Sequence, residues 1–267
     1  MKRRAFLHSS LALAGTGAAV SSLTATAEET GAANHQYYEL RLYHLRRGPQ
    51  MDLFDNFYRD AAIPALNRAG LAQVGVFSVM VGPESPTMYV LLAHPTLDSL
   101  TGTYARLDAD AEFQKAGAEF VNAPPTNPAY MRVDSSLMIA FEGLPKLEVP
   151  SFPGGGASRI FELRTYESHS RKAHLKKIEM FNRGEISIFR RTGLTPVFFG
   201  QTLIGGRLPN LTYLLGFANA EAREKGWSAF VADDEWKKLR STPGYTDAEI
   251  VSDISNVLLR PAPYSQI

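Results

Sequence analysis

From residue 37 to 45 apolar and polar side chains alternate, the period of a half-buried strand. Beyond Met51 the period changes: Phe54, Tyr58, Ala61, Ala62, Ala65 and Leu66 recur at helical spacing. This helix ends at Gly70, a residue that takes the left-handed C′ conformation freely, and Pro64 inside it predicts a kink. Two β-like runs, 72–81 and 88–94, flank the turn segment Gly82-Pro83-Glu84-Ser85-Pro86. Thr96 is a predicted N-cap for a helix over 97–107, a shorter helix covers 109–120, and a last strand covers 136–141.

The same order returns in the second half: strand 159–167, helix 171–192, strands 195–204 and 211–218, helices near 220–231 and 233–241, strand 250–259. Glu39-Leu40-Arg41-Leu42-Tyr43 recurs 123 residues later as Glu162-Leu163-Arg164-Thr165-Tyr166. Gly70-Leu71 matches Gly193-Leu194, Val74 matches Val197, and Glu112-Phe113 matches Glu235-Trp236; Tyr89 and Tyr213 correspond after a slip of one. A phrase repeated at domain-sized spacing means a duplicated unit. Each copy reads β-α-β-β-α(α)-β, the split βαβ or ferredoxin-like arrangement, an α+β unit with one antiparallel sheet and helices on one face. The bare faces need cover, so the two sheets are expected to meet face to face and enclose a common interior. Between the copies, residues 143–158 carry Pro145, Pro150, Pro153 and Gly154-Gly155-Gly156, and are expected to form an exposed linker.

The division is then 37–142 and 159–262, preceded by two segments outside the repeat. Lys2-Arg3-Arg4, a weakly apolar stretch from Leu11 to Val20, and Ala25-Thr26-Ala27 have the build of a cleaved export signal over 1–27, with 28–36 as a leader. The adjacent arginines before Phe6-Leu7 resemble the twin-arginine type, which places the protein in the periplasm or outside the cell. The apolar stretch is about half of the roughly 20 residues that span a bilayer. Without the export signal's three cations, 25 Lys+Arg stand against 27 Asp+Glu, which argues against nucleic acid, and no membrane-spanning run remains. Zero cysteines excludes thiol nucleophiles and thiolate metal sites.

Alternation puts Tyr38, Leu40 and Leu42 on one face of the first strand and Glu39, Arg41 and Tyr43 on the other; Phe161, Leu163 and Thr165 likewise oppose Glu162, Arg164 and Tyr166. The apolar set is expected under the helices, and the Glu/Arg/Tyr set is expected to line the cavity between the sheets. There it would be either a ligand pocket, with arginine as a forked anion clamp, or an ion-pair network that fixes the sheets. His44 and His94, at strand ends and without counterparts in the second copy, are weaker candidates. His169 and His174 are five apart, off the spacing of helical metal pairs, and no metal site is assigned. The acidic residues Asp108, Asp110 and Glu112, and Asp233, Asp234 and Glu235, suit helix starts. Phosphate loop, dinucleotide fingerprint, nucleophile elbow and HExxH signature are all missing from the sequence.

The doubled Glu-Leu-Arg-x-Tyr strand, the amphipathic helix ending in glycine and the tyrosine-bearing strand resemble the NIPSNAP family over 37–142 and 159–262. That resemblance implies a dimeric α+β barrel closed within one chain, as a monomer or a further homodimer, and carries no established catalytic residues. It leaves two functions open. One is binding of a small molecule or a protein partner by the barrel; the other is cofactor-free or haem-dependent oxygenase-like catalysis, which related barrels perform. The cofactor is left unassigned.

Overall fold

A computed structural model describes residues 35–81, 85–152 and 158–267. The proposed export signal and most of the leader lie outside these residues. The first copy consists of β1 (Tyr37–His44), α1 (Pro49–Phe57), a π-helical turn (Tyr58–Ala62), α2 (Ile63–Arg68), β2 (Val74–Val79), β3 (Thr87–His94), α3 (Leu97–Ala109), α4 (Ala111–Ala116), α5 (Ala118–Val121) and β4 (Arg132–Ala140). The second repeats it as β5 (Ile160–Glu167), α6 (Arg171–Met180), a π-helical turn (Phe181–Glu185), α7 (Ile186–Arg191), β6 (Thr195–Ile204), β7 (Asn210–Phe217), α8 (Ala220–Ala232), α9 (Asp234–Arg240), α10 (Asp247–Ile250) and β8 (Asp253–Pro261).

Within each copy the strands order as β2-β3-β1-β4 and β6-β7-β5-β8. The sheets face each other as expected and are also joined edge to edge. Antiparallel seams β2–β8 and β4–β6 close all eight strands into one barrel, and residues 34–267 form one compact unit. Closure removes the exposed edges that an open sheet would offer to other chains. Three cores result. One lies between the first copy's helices and the outside of its sheet, a second repeats this in the other copy, and the third fills the barrel.

The strand registers show the duplication residue by residue. Arg41 pairs with Val90 and Arg164 with Tyr213, so Tyr213 is the counterpart of Val90, while Tyr89 corresponds to Thr212. The one-residue slip inferred between Tyr89 and Tyr213 is therefore absent: Tyr89 sits in the barrel core and Tyr213 under the helices. Gly70 and Gly193 end their helices at φ 97° and 88°, as the sequence predicts. The π turns begin 123 residues apart, yet the residue matching Pro64 is Ser187, so proline is not the cause of the turn.

The segment between the copies is not simply exposed. Leu144, Leu147 and Pro150 are buried, and Leu147 enters the barrel core. A turn in which the Leu144 N–H donates to the Phe141 carbonyl leads into it. After β8 the same turn recurs, Ser265 N–H to the Ala262 carbonyl, and Ile267 enters the core from the other copy. Each copy thus sends an apolar plug across the same barrel end. Among the described residues no helix is long and apolar enough to cross a membrane.

Candidate functional site

The repeated strands build two buried ionic clusters. In β1, Arg41 Nε donates to Glu39 Oε1 at 2.7 Å and Nη2 to Oε2 at 2.8 Å, a forked pair. Tyr104 of α3 and Ser135 of β4 donate their hydroxyls to Oε1 at 2.9 and 3.2 Å. Nε2 of the fully buried His94 lies 3.7 Å from Oε2. Burial alone would push the Glu39 carboxyl up. The nearby ring of His94, hydrogen bonds from Arg41 and Tyr104, and the charge of Arg41 outweigh it and hold the group well below the usual carboxylate range.

In β5, Glu162 accepts from Arg164 at 3.1 Å, twice from Arg223 at 2.6 and 3.0 Å, from the Trp227 indole at 2.8 Å and from Asn256 at 2.6 Å. These donors overcome the effect of burial and lower its carboxyl too. Trp227 stands where the first copy has Tyr104, and Arg223 where it has Leu100. Beside each arginine lies a tyrosine pair: the Tyr58 hydroxyl donates to that of Tyr43 at 2.9 Å, and the Tyr213 hydroxyl to that of Tyr166 at 3.2 Å. The second π turn has Phe181 in place of Tyr58, and β7 supplies the missing hydroxyl.

Glu39, Arg41, Tyr43, Glu162, Arg164 and Tyr166 were expected to line the space between the sheets; they face the helices instead. Tyr43 and Tyr166 belong to the two helix-facing cores, while Tyr38, Leu40, Phe161 and Leu163 fill the barrel. The physical reason is partner supply. At the level of Tyr38, Leu40, Phe161 and Leu163 the barrel interior is packed with apolar side chains, so a carboxylate there would lack donors. The helix side provides Tyr104, Arg223 and Trp227.

The barrel end at which β1, β2, β5 and β6 begin is filled by Tyr38, Phe77, Phe161, Phe198, Leu147 and Ile267. The other end holds a cavity of about 890 Å³. Apolar walls (Leu40, Leu42, Val79, Tyr89, Leu163, Val257) give way to hydroxyls and an amide (Ser136, Thr165, Thr202, Asn210, Thr212, Ser255). Thr165 and Thr212 hydrogen-bond at 2.9 Å, and the Thr202 hydroxyl donates to Asn210 at 2.6 Å. Arg207 reaches Glu167 at 3.3 Å and the Ser255 hydroxyl at 3.2 Å.

His44 stands at the edge of this cavity, its Nε2 2.7 Å from Asp134 Oδ2 and its Nδ1 3.4 Å from the Thr87 hydroxyl, both partners being cavity residues. His94 does not reach it. Of the described histidines only His44 stands at the chamber, with both ring nitrogens engaged, so histidine ligation of a haem iron is not supported by this arrangement. The hydroxyl rim was not singled out from the sequence. Its signal was present in β5 and β7, where the interior positions pass from Leu163 to Thr165 and from Leu214 to Thr212.

The family model described as NIPSNAP matches residues 38–129 and 161–266, both copies. A candidate monooxygenase from Lactobacillus acidophilus is similar over 85% of this chain and 94% of its own, at 9% identity and a TM-score of 0.56. Another from Fusobacterium nucleatum covers 85% and 93%, at 7% identity and 0.53. A NIPSNAP-like domain protein from Burkholderia xenovorans is 23% identical over 41% of this chain and 90% of its own, with a TM-score of 0.37. None of the curated proteins matches. At these identities the solved structures speak for the fold alone. The family match spans most of the chain, with one segment in each half of the barrel: this is a member of the NIPSNAP family with its two copies closed into one dimeric α+β barrel.

Proposed function

We propose that the barrel interior is a binding chamber for a small molecule that is apolar over most of its length and carries a hydrogen-bonding group at one end. One observation carries this reading: the cavity of about 890 Å³ is aliphatic within and, on the second copy's strands, hydroxyl-lined toward its opening, while Val79 and Val81 keep the first copy's side apolar there. That volume falls in the usual range for small-molecule sites, and the mixture of apolar walls with a few convergent polar groups is what such sites require. The Glu/Arg/Tyr clusters serve as the frame that fixes the helices on the barrel, not as ligand groups.

Leu163→Trp tests it, since the indole would occupy the chamber. Native mass spectrometry should lose any copurifying small molecule, and the fluorescent probe N-phenylnaphthylamine should bind at least about tenfold more weakly, with the melting temperature kept. Unchanged probe binding would exclude the chamber as its site.

Catalysis in the same chamber is the second reading, favoured by the His44–Asp134 pair at its edge. A base there must first release Asp134 or Thr87 to accept a proton from the substrate, which is why binding is preferred. Oxygen uptake by wild type and not by His44→Gln, with an oxidisable aromatic substrate present, would support it. Export by the twin-arginine route, to the periplasm or beyond, belongs to the same proposal and rests on Arg3-Arg4 and the apolar stretch and Ala25-Thr26-Ala27 that follow.

A further inference from the structure

Fourteen large apolar side chains are exposed among the described residues, and eight of them lie at the open end of the barrel. They form two prongs, each where a seam joins the two copies. Met80, Val81 and Ile254 stand at the β2–β8 seam; Tyr130, Met131, Leu203, Ile204 and Leu208 stand at the β4–β6 seam. Val81 is 88% and Ile204 66% exposed, far beyond what a closed surface would leave.

Between the prongs lie two loops in equivalent positions, after β1 and after β5. The first carries Arg46 and Arg47; the second leads into Arg171 and Lys172. All four cations are exposed, and none forms an ion pair among the described residues. Among the described residues at this end, Asp134 pairs with His44 and Glu167 with Arg207, while Asp253, Asp52 of α1 and Asp247 of α10 are exposed. Apolar prongs and basic loops therefore alternate around the mouth.

We propose that this end docks on a lipid bilayer bearing anionic phospholipids, with the prongs entering below the headgroups and the basic loops resting on the phosphates. Apolar groups at acyl depth and Arg/Lys at headgroup depth is the division of labour that holds proteins on anionic interfaces. A second copy of the chain fits worse. A symmetric mouth-to-mouth contact would set the basic loops against one another or bury them against the prongs. Docking here brings the chamber opening onto the bilayer, so an apolar molecule could pass between the two without crossing water. This goes beyond the chamber reading and is tested separately from it.

The test is flotation of the full chain with vesicles of phosphatidylcholine alone and with a quarter phosphatidylglycerol. Wild type should float with the anionic vesicles, less so in high salt, and weakly with neutral ones. Val81→Asp with Ile204→Asp should lower recovery with the anionic vesicles about tenfold, with an unchanged melting temperature because both sites are exposed. Arg46→Glu with Arg47→Glu should remove the salt dependence. Flotation that the Asp pair leaves undiminished, or that is equal on neutral vesicles, overturns the proposal. So does concentration-dependent self-association that the Asp pair abolishes, which would mean that a second copy covers this end. Probe binding without vesicles reads the chamber independently, so either idea can fail alone.

Discussion

Arg41 and Arg164 occupy matching positions but are not equally replaceable. Among the described residues Arg41 is the one arginine on Glu39, whereas Glu162 keeps two bonds from Arg223 when Arg164 is lost. Arg41→Ala leaves a buried carboxylate with hydroxyl donors from Tyr104 and Ser135 but no arginine, and should cost about 3–5 kcal/mol. Arg164→Ala should cost about 1–3 kcal/mol, the scale of lost bonds to a charged group that retains other partners. Thermal melting of the two variants side by side decides it, and equal losses would refute the asymmetry. Acid sensitivity follows from the same groups. Glu39 and Glu162 have folded pKa values below their unfolded value near 4.5. Their stabilisation is present above that pH and drains away as the pH falls toward the folded values. The gap in melting temperature between wild type and Glu39→Gln should therefore shrink steadily below about pH 4.5.

The paired elements differ most at the π turns. Where the first copy packs Phe54 against Ala62, the second buries Lys177 against Glu185 at 3.1 Å, with the ammonium over the rings of Tyr166, Phe181 and Trp236. Burial pushes the Glu185 carboxyl up, and Lys177 only partly counters it. Lys177→Phe alone should destabilise by about 3–5 kcal/mol, while Lys177→Phe with Glu185→Ala, the first copy's own solution, should be neutral or stabilising by about 1–4 kcal/mol. Denaturant midpoints for the two variants would show a non-additive pair; additive losses would contradict this account. Element order, both helix-ending glycines and the duplication could all be read from the sequence, because strand and helix periods are local properties. Which face of β1 and β5 turns inward could not. Both faces are buried, so polarity had no solvent to point toward, and the choice fell to Tyr104, Arg223 and Trp227, some 60 residues away in sequence. The plug role of Leu147 was hidden for a related reason: proline and glycine around it mark a chain break and not the burial of one side chain.

For the whole molecule, the export proposed above has its own test. Arg3→Lys with Arg4→Lys preserves charge but removes the twin arginines, and the precursor should then accumulate inside the cell; normal export of the variant would point to the general secretory route. The barrel itself is stoppered at one end by Tyr38, Phe198, Leu147 and Ile267 and open at the other. It is a cup and not a tube. Whatever occupies it must leave by the door through which it came, so exchange is strictly sequential. A competitor can claim the chamber only after it empties, and raising the competitor's concentration cannot hasten the occupant's departure.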